Sequence, residues 1–262
     1  MHVTRRLGLL AIAATPAAAQ TPDLARTFAP TGRLRAVINL GNPILAGRSS
    51  ETAEPHGVSV DLARELAGRL GVQLELVVVP AAGRSVEVVR AGGADIGFFA
   101  VDPARSAGID FSAPYIEIEG AYLVRADSPL TRMEEVDRPG TRIVVGRNSA
   151  YDLYLTREIR NATLLRAPTS PAVVDEFLRQ GVEVAAGVRQ QLEADAARLP
   201  ALRLLPGRFM VIHQAMGLAA GRESAALAAL TAFVEEMKAS GFVARALARH
   251  RISGATVAPT RG

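Results

Sequence analysis

The spacing of apolar positions changes repeatedly along the chain. Residues 34–40 are a nearly continuous apolar, β-branched run that ends at Gly41-Asn42-Pro43, the pattern of a buried strand followed by a turn. Over 57–71 the period becomes helical: Leu62, Leu66 and Leu70 stack on one face with Ala63 and Ala67 beside them, and Gly71 suits the left-handed position after a helix. In 72–79, Val72, Leu74 and Leu76 alternate with Gln73 and Glu75, which predicts a strand. A short helix over 85–91 closes at Gly92-Gly93, and 95–99 is a third strand. Strand, helix, strand, helix, strand at this spacing is a βαβαβ unit. Right-handed crossovers turn it into a parallel sheet with helices on both faces, and such sheets bind ligands beyond the carboxyl ends of their strands.

The same order returns in the second half. Strands are predicted at 142–146, 163–166, 182–186 and 202–205, with helices at 149–160, 171–180 and 190–197 between them. Two helices follow at 224–240 and 242–249, the first with Leu227, Leu230, Val234 and Met237 on one face. Beyond Ile252 the chain is small and polar and is expected to fray. The stretches 115–124 and 211–218 leave the two units as extended apolar runs, which fits a pair of hinge strands. The expected fold is therefore α/β with two lobes facing a cleft. Residues 20–120 plus 217–262 form lobe 1 and residues 121–216 form lobe 2.

Composition narrows the function. The 262 residues are 49% apolar, enough for one large core or two modest ones. Basic residues exceed acidic ones only 30 to 26, and they alternate with acids along the chain, so the basic stripe needed for nucleic acid is missing. There is no cysteine, which removes disulfides, thiolate metal sites and cysteine nucleophiles. The four histidines have no metal-ligand spacing, and no phosphate-binding glycine motif follows the first strand, so neither metal nor cofactor is expected. At the N-terminus, Arg5-Arg6, the apolar run 7–14, Pro16 and Ala17-Ala18-Ala19 have the layout of a cleaved export signal over 1–19. The mature protein is then expected in the periplasm.

Residues 95–115 read DIGFFAVDPARSAGIDFSAPY. This closely resembles the signature of the family 3 extracellular solute-binding proteins, the amino-acid receptors of ABC importers. Gly57-Val58-Ser59-Val60-Asp61-Leu62 looks like that family's Gly-x-x-x-Asp-Leu opening. Val144-Val145-Gly146-Arg147-Asn148-Ser149-Ala150 falls where the second lobe starts its first helix, and Ser240-Gly241-Phe242 is similar to the closing helix pair. The resemblance runs over about 34–249. It implies the type II periplasmic binding protein fold, a monomeric receptor, a small carboxylate ligand and an ABC-type membrane permease as partner.

The resemblance also nominates residues. Arg105 matches the arginine that grips the ligand's carboxylate, and a guanidinium suits that task because its planar fork meets two oxygens at once. Asp102 as N-cap and Pro103 at the first helical position would hold it. Ser149, at a helix N-terminus, either caps the helix, contacts an anion, or does both. Phe98 is the expected aromatic wall, with core packing as its other role, and Tyr151 is a further lining candidate. Asn39 and Asn42 offer amide contacts or serve the turn.

Two positions depart from the family pattern. Ala100 stands where Thr or Ser is usual, and Val188, flanked by Gly187 and Arg189, stands where an Asp usually holds the ligand's ammonium. A desolvated ammonium without a counter-charge is costly. The expected ligand is a small carboxylate, amino-acid-like if Asp152 or Asp175 supplies the missing acid, and otherwise one without an α-ammonium, an organic acid or a dicarboxylate with Arg189 on its second anion. The protein is expected to be a binder and not an enzyme. An enzyme of the cyclohexadienyl dehydratase type would need a cleft carboxylate such as Glu117, Glu119 or Glu183, and a sensory receptor is the third reading.

Overall fold

The computed structural model describes residues 24–260. The expected export signal lies outside the described residues. In chain order the main elements are α1 (Leu24–Phe28), β1 (Arg33–Asn39), α2 (Val58–Leu70), β2 (Gln73–Val79), α3 (Ala82–Arg90), β3 (Ile96–Ala100), α4 (Pro103–Ser106) and β4 (Ile109–Arg125). They continue with β5 (Arg142–Gly146), α5 (Ala150–Glu158), β6 (Thr163–Ala167), α6 (Val173–Gln180), β7 (Val184–Val188), α7 (Arg189–Arg198), β8 (Leu202–Leu204) and β9 (Met210–Ala219). The last are α8 (Ser224–Ala239), α9 (Phe242–Arg249) and β10 (Thr256–Val257).

Two parallel triplets form the lobes. β1 pairs in parallel with β2 and β3, and β5 pairs in parallel with β6 and β7. The strands β3 and β7, each between a parallel neighbour and a hinge strand, are buried at every residue, which is why their sequences are continuous apolar runs without alternation. The helices between them bury one stripe each, as with Leu62, Ala63, Leu66 and Ala67 on α2 and Val173, Val174 and Phe177 on α6.

The two extended runs are paired as expected. β4 and β9 lie antiparallel from Ile109↔Ala219 to Gly120↔Met210. They do more than connect the lobes: β9 also pairs with β3, and β4 with β7, so both triplets belong to one continuous sheet in the order β2-β1-β3-β9-β4-β7-β5-β6. The register of β4 against β9 shifts around Pro114, where the missing N–H interrupts the ladder.

The tail departs from expectation. Beyond Ile252 it does not fray: β10 pairs with β4 at Glu117 and Ile116, and the Ala258 amide donates to the Tyr115 carbonyl. Lys238, itself buried, donates to the Pro259 carbonyl at 2.8 Å. Composition marked this segment as loose because it has no apolar period. What holds it is backbone pairing to a strand edge. Among the described residues no helix is long and apolar enough to cross a membrane.

Candidate functional site

The carboxyl ends of the strands in both triplets point at one cavity. Asn39 ends β1, Phe98 and Ala100 end β3, Ser149 and Ala150 follow β5, Ser170 follows β6 and Val188 ends β7, and all of them line it. Its free volume is about 50 Å³. That is above the roughly 10–15 Å³ a cavity needs to hold a single water, so there is space in it for more than side-chain packing requires.

Arg105 lines this cavity and is buried, at 4% exposure. Its position comes from local chemistry. Asp102 caps α4 by accepting from the Ala104 amide at 2.8 Å, and Pro103 occupies the first helical position. The guanidinium donates to the Ala100 carbonyl at 3.0 Å and to the Asn148 carbonyl at 2.9 Å, so it joins the loop after β3 to the loop after β5. It forms no ion pair with any described carboxylate. Burial lowers its pKa to about 10, against a smaller opposing pull from Asp102, and it stays a cation at neutral pH. Five N–H donors less two leaves three for something else.

Across the cavity stands the N-terminus of α5. Ser149 caps it, accepting from the Asp152 amide at 3.0 Å. The amides of Ala150 and Tyr151, at the first two helical positions, have no acceptor within the helix, and the helix dipole adds positive potential there. The Tyr151 hydroxyl is buried among Ser170, Ser149 and the Gly146 backbone, and burial raises its pKa. Asn148 reaches this arrangement through a left-handed backbone, with φ of 56°.

Of the sequence candidates, Arg105, Ser149, Phe98, Ala100, Asn39, Asn42 and Tyr151 are brought together around the cavity. Phe98 stacks edge-on to Tyr115, and Phe99 lines the cavity as well while packing against Phe111. Asn39 is partly occupied, because its side-chain oxygen accepts from the Gly41 amide. The buried Asn42 Oδ1 has no protein partner.

Arg189 is a correction. It does not line the cavity: its guanidinium turns to the hinge, where it pairs with Glu119 at 2.7 Å and donates to the Gly207 carbonyl. The side chains of Val188 and Arg189 leave the end of β7 in different directions, so only Val188 reaches the site. The two acids considered as substitutes do not line the cavity either. Asp152 accepts from the Asn148 amide and pairs with Arg166 at 3.0 Å, and Asp175 is exposed on α6. Glu119 is held below the usual carboxylate range by Arg208 and then Arg189, and Glu183 by Arg142. Neither they nor Glu117 line the cavity.

Sequence reasoning missed Gln214, Ser59 and Ser170, all of which line the cavity. Gln214 had a legible signal: it is a polar residue inside the apolar run of β9, buried at 6% exposure. It also missed that the Asp102 carboxylate pairs with Arg157 on α5, at 2.9 Å. That ion pair crosses between the two triplets, as does the Arg105–Asn148 bond.

Comparison with known proteins follows this geometry. The family model described as bacterial extracellular solute-binding proteins, family 3, matches residues 41–251. Among solved structures the chain is similar to the L-cysteine solute receptor of Neisseria gonorrhoeae, with TM-score 0.75 and 22% identity, covering 88% of this chain and 94% of that one. It is similar to the amino-acid ABC transporter substrate-binding protein AbpA of Streptococcus pneumoniae bound to L-arginine, with TM-score 0.74 and 16% identity over 86% and 97% of the two chains. It is also similar to an ancestral amino-acid-binding protein described as a precursor of cyclohexadienyl dehydratase, with TM-score 0.71 and 19% identity over 86% and 98%. At these identities the likeness establishes the fold. No curated protein matches the chain.

Proposed function

Because the chain belongs to family 3 of the bacterial extracellular solute-binding proteins, we propose that it is a periplasmic receptor that closes its two lobes on a small carboxylate and delivers it to an ABC-type importer. One observation carries this reading: Arg105 is a buried cation at the cavity wall without a carboxylate partner. A buried charge in that state costs several kcal/mol unless an anion joins it. The α5 N-terminus on the opposite wall favours the same sign of ligand. Binding then needs no bond-making, only lobes that meet around the anion. The lobe limits we propose lie at 120/121 and 216/217; the first falls where β4 exchanges β9 for β7 at Gly120, whose partner on β9 is Met210, while the β9 residues beside the second limit pair with β3.

The likeness to a dehydratase precursor keeps an enzyme reading in view. Acid–base catalysis needs a proton carrier beside the substrate. Among the described residues lining the cavity there is no carboxylate, histidine or lysine, and the Tyr151 hydroxyl has its pKa raised by burial, which supports binding over turnover. Incubation with prephenate or arogenate checks this, and product formation would overturn the receptor reading.

The test of the main reading is calorimetry with a panel of small carboxylates, on wild type and on Arg105→Lys and Arg105→Ala. The expected result is a carboxylate bound by wild type whose affinity falls by at least about 100-fold in Arg105→Ala, with a smaller loss in Arg105→Lys. Undiminished binding in both variants would sink the proposal.

A further inference from the structure

We infer that the ligand carries one negative charge only: a compact monocarboxylate whose other polar group is neutral, with no ammonium and no second acid. This deepens the receptor reading above and rests on it.

The argument is a charge balance over the cavity wall. Among its described lining residues Arg105 is the single cation and there is no anion. A monoanion brings the closed site to neutrality. An amino-acid zwitterion adds no net charge, so the buried site keeps its excess positive charge and an ammonium faces Val188, Phe98 and the α5 N-terminus with no carboxylate. Asp152 is committed to the Asn148 amide and Arg166, and Asp102 to the Ala104 amide and Arg157. A helix N-terminus repels a cation as surely as it attracts an anion. A dicarboxylate fails for the opposite reason: its second charge needs a second cation, and Arg189 is turned away to Glu119.

The remaining polar wall is neutral. Asn42 Oδ1 is buried without a partner, and Gln214, Ser59 and Ser170 line the same cavity. An orphaned acceptor calls for a donor on the ligand, and a hydroxyl provides one without adding charge. A small 2-hydroxy acid, with one carboxylate for Arg105 and one neutral donor for Asn42 Oδ1, meets both conditions.

Lactate and alanine are the discriminating pair, since they share a shape and differ in hydroxyl against ammonium. The experiment is calorimetry of the full chain, freed of carried-over ligand by unfolding and refolding. The probes are glycolate, lactate, alanine, serine, malate and succinate. Lactate or glycolate is expected to bind at least tenfold more tightly than alanine, serine or either diacid. Val188→Asp restores an acid at the end of β7 and is expected to reverse the order of lactate and alanine. Because that variant could lose stability, its melting temperature is recorded beside its affinity, and the wild-type panel stands alone as a test. Tight binding of alanine or serine that disappears in Arg105→Ala overturns the charge-balance inference and leaves the receptor reading standing. A panel in which none of the six binds overturns the short-monocarboxylate inference and leaves the receptor reading to the wider carboxylate panel.

Discussion

At the residue scale the site depends on close approach between two loops. Asn148 passes over Gly83 on α3, where an added Cβ would lie 2.9 Å from the Asn148 Cβ. Asn148 is also the residue whose carbonyl receives Arg105. Gly83 is therefore one point of contact between the two triplets, and it sits in the first turn of a helix that alanine would stabilise. Gly83→Ala is expected to hold or raise the melting temperature of the ligand-free protein while lowering ligand affinity by roughly tenfold, because only the closed arrangement feels the added methyl. Calorimetry and thermal unfolding on the same preparation separate the two effects, and an unchanged affinity would remove Gly83 from the closing surface. Arg105, Ser149 and Asn39 were legible as candidates because each stands beside a turn or cap signal. Arg189 was misread because adjacency to Val188 says nothing about direction: a side chain one residue past the end of a strand takes its heading from the helix it begins.

At the element scale the short helix α4 explains how a buried arginine is held. Four residues do not form a helix unaided, and Asp102, Pro103 and the buried Arg105 stabilise this one jointly. Asp102 has a second task, since its carboxylate meets Arg157 near the C-terminal end of α5. The Asp102 side chain is buried while Arg157 is about two-fifths exposed, so the pair contributes about 1 kcal/mol to closure. Asp102→Asn keeps the cap, because Asn caps as well as Asp, and removes the charge. It is expected to weaken ligand binding about fivefold at low salt, with the difference shrinking as salt is added. Titration at two ionic strengths measures this, and wild-type affinity at both would show that the pair does not bias closure. Helix and strand limits were readable to within a few residues because the apolar periods are strong. The Asp102–Arg157 contact was not, since its partners lie 55 residues apart and neither has an unusual local pattern.

At the scale of the whole molecule the C-terminal tail ties both lobes to the hinge. β10 extends the sheet at β4, Pro259 accepts from buried Lys238, and Gly254 lies against Gln190 on α7. Removal of residues 254–262 strips Lys238 of an acceptor and β4 of a neighbour. The expected cost is about 1–2 kcal/mol, a fall in melting temperature of roughly 2–8 °C. Differential scanning calorimetry measures it, and an unchanged midpoint would return the tail to the status of a loose end. The sequence by itself determined the alternation of strands and helices, the doubling of the βαβ order, the caps that position Arg105 and α5, and the absence of an acid at the end of β7. These are consequences of period, of turn chemistry and of single residue identities, which act over a few neighbouring positions. Tertiary structure alone decided which carboxylates are already paired, that Arg189 serves the hinge, that the tail is a strand, and that one unpaired cation faces the closed cavity. Those facts depend on distances between segments far apart in the chain. Burial sets their energetic weight, because a charge becomes expensive only where the assembled lobes exclude water from it.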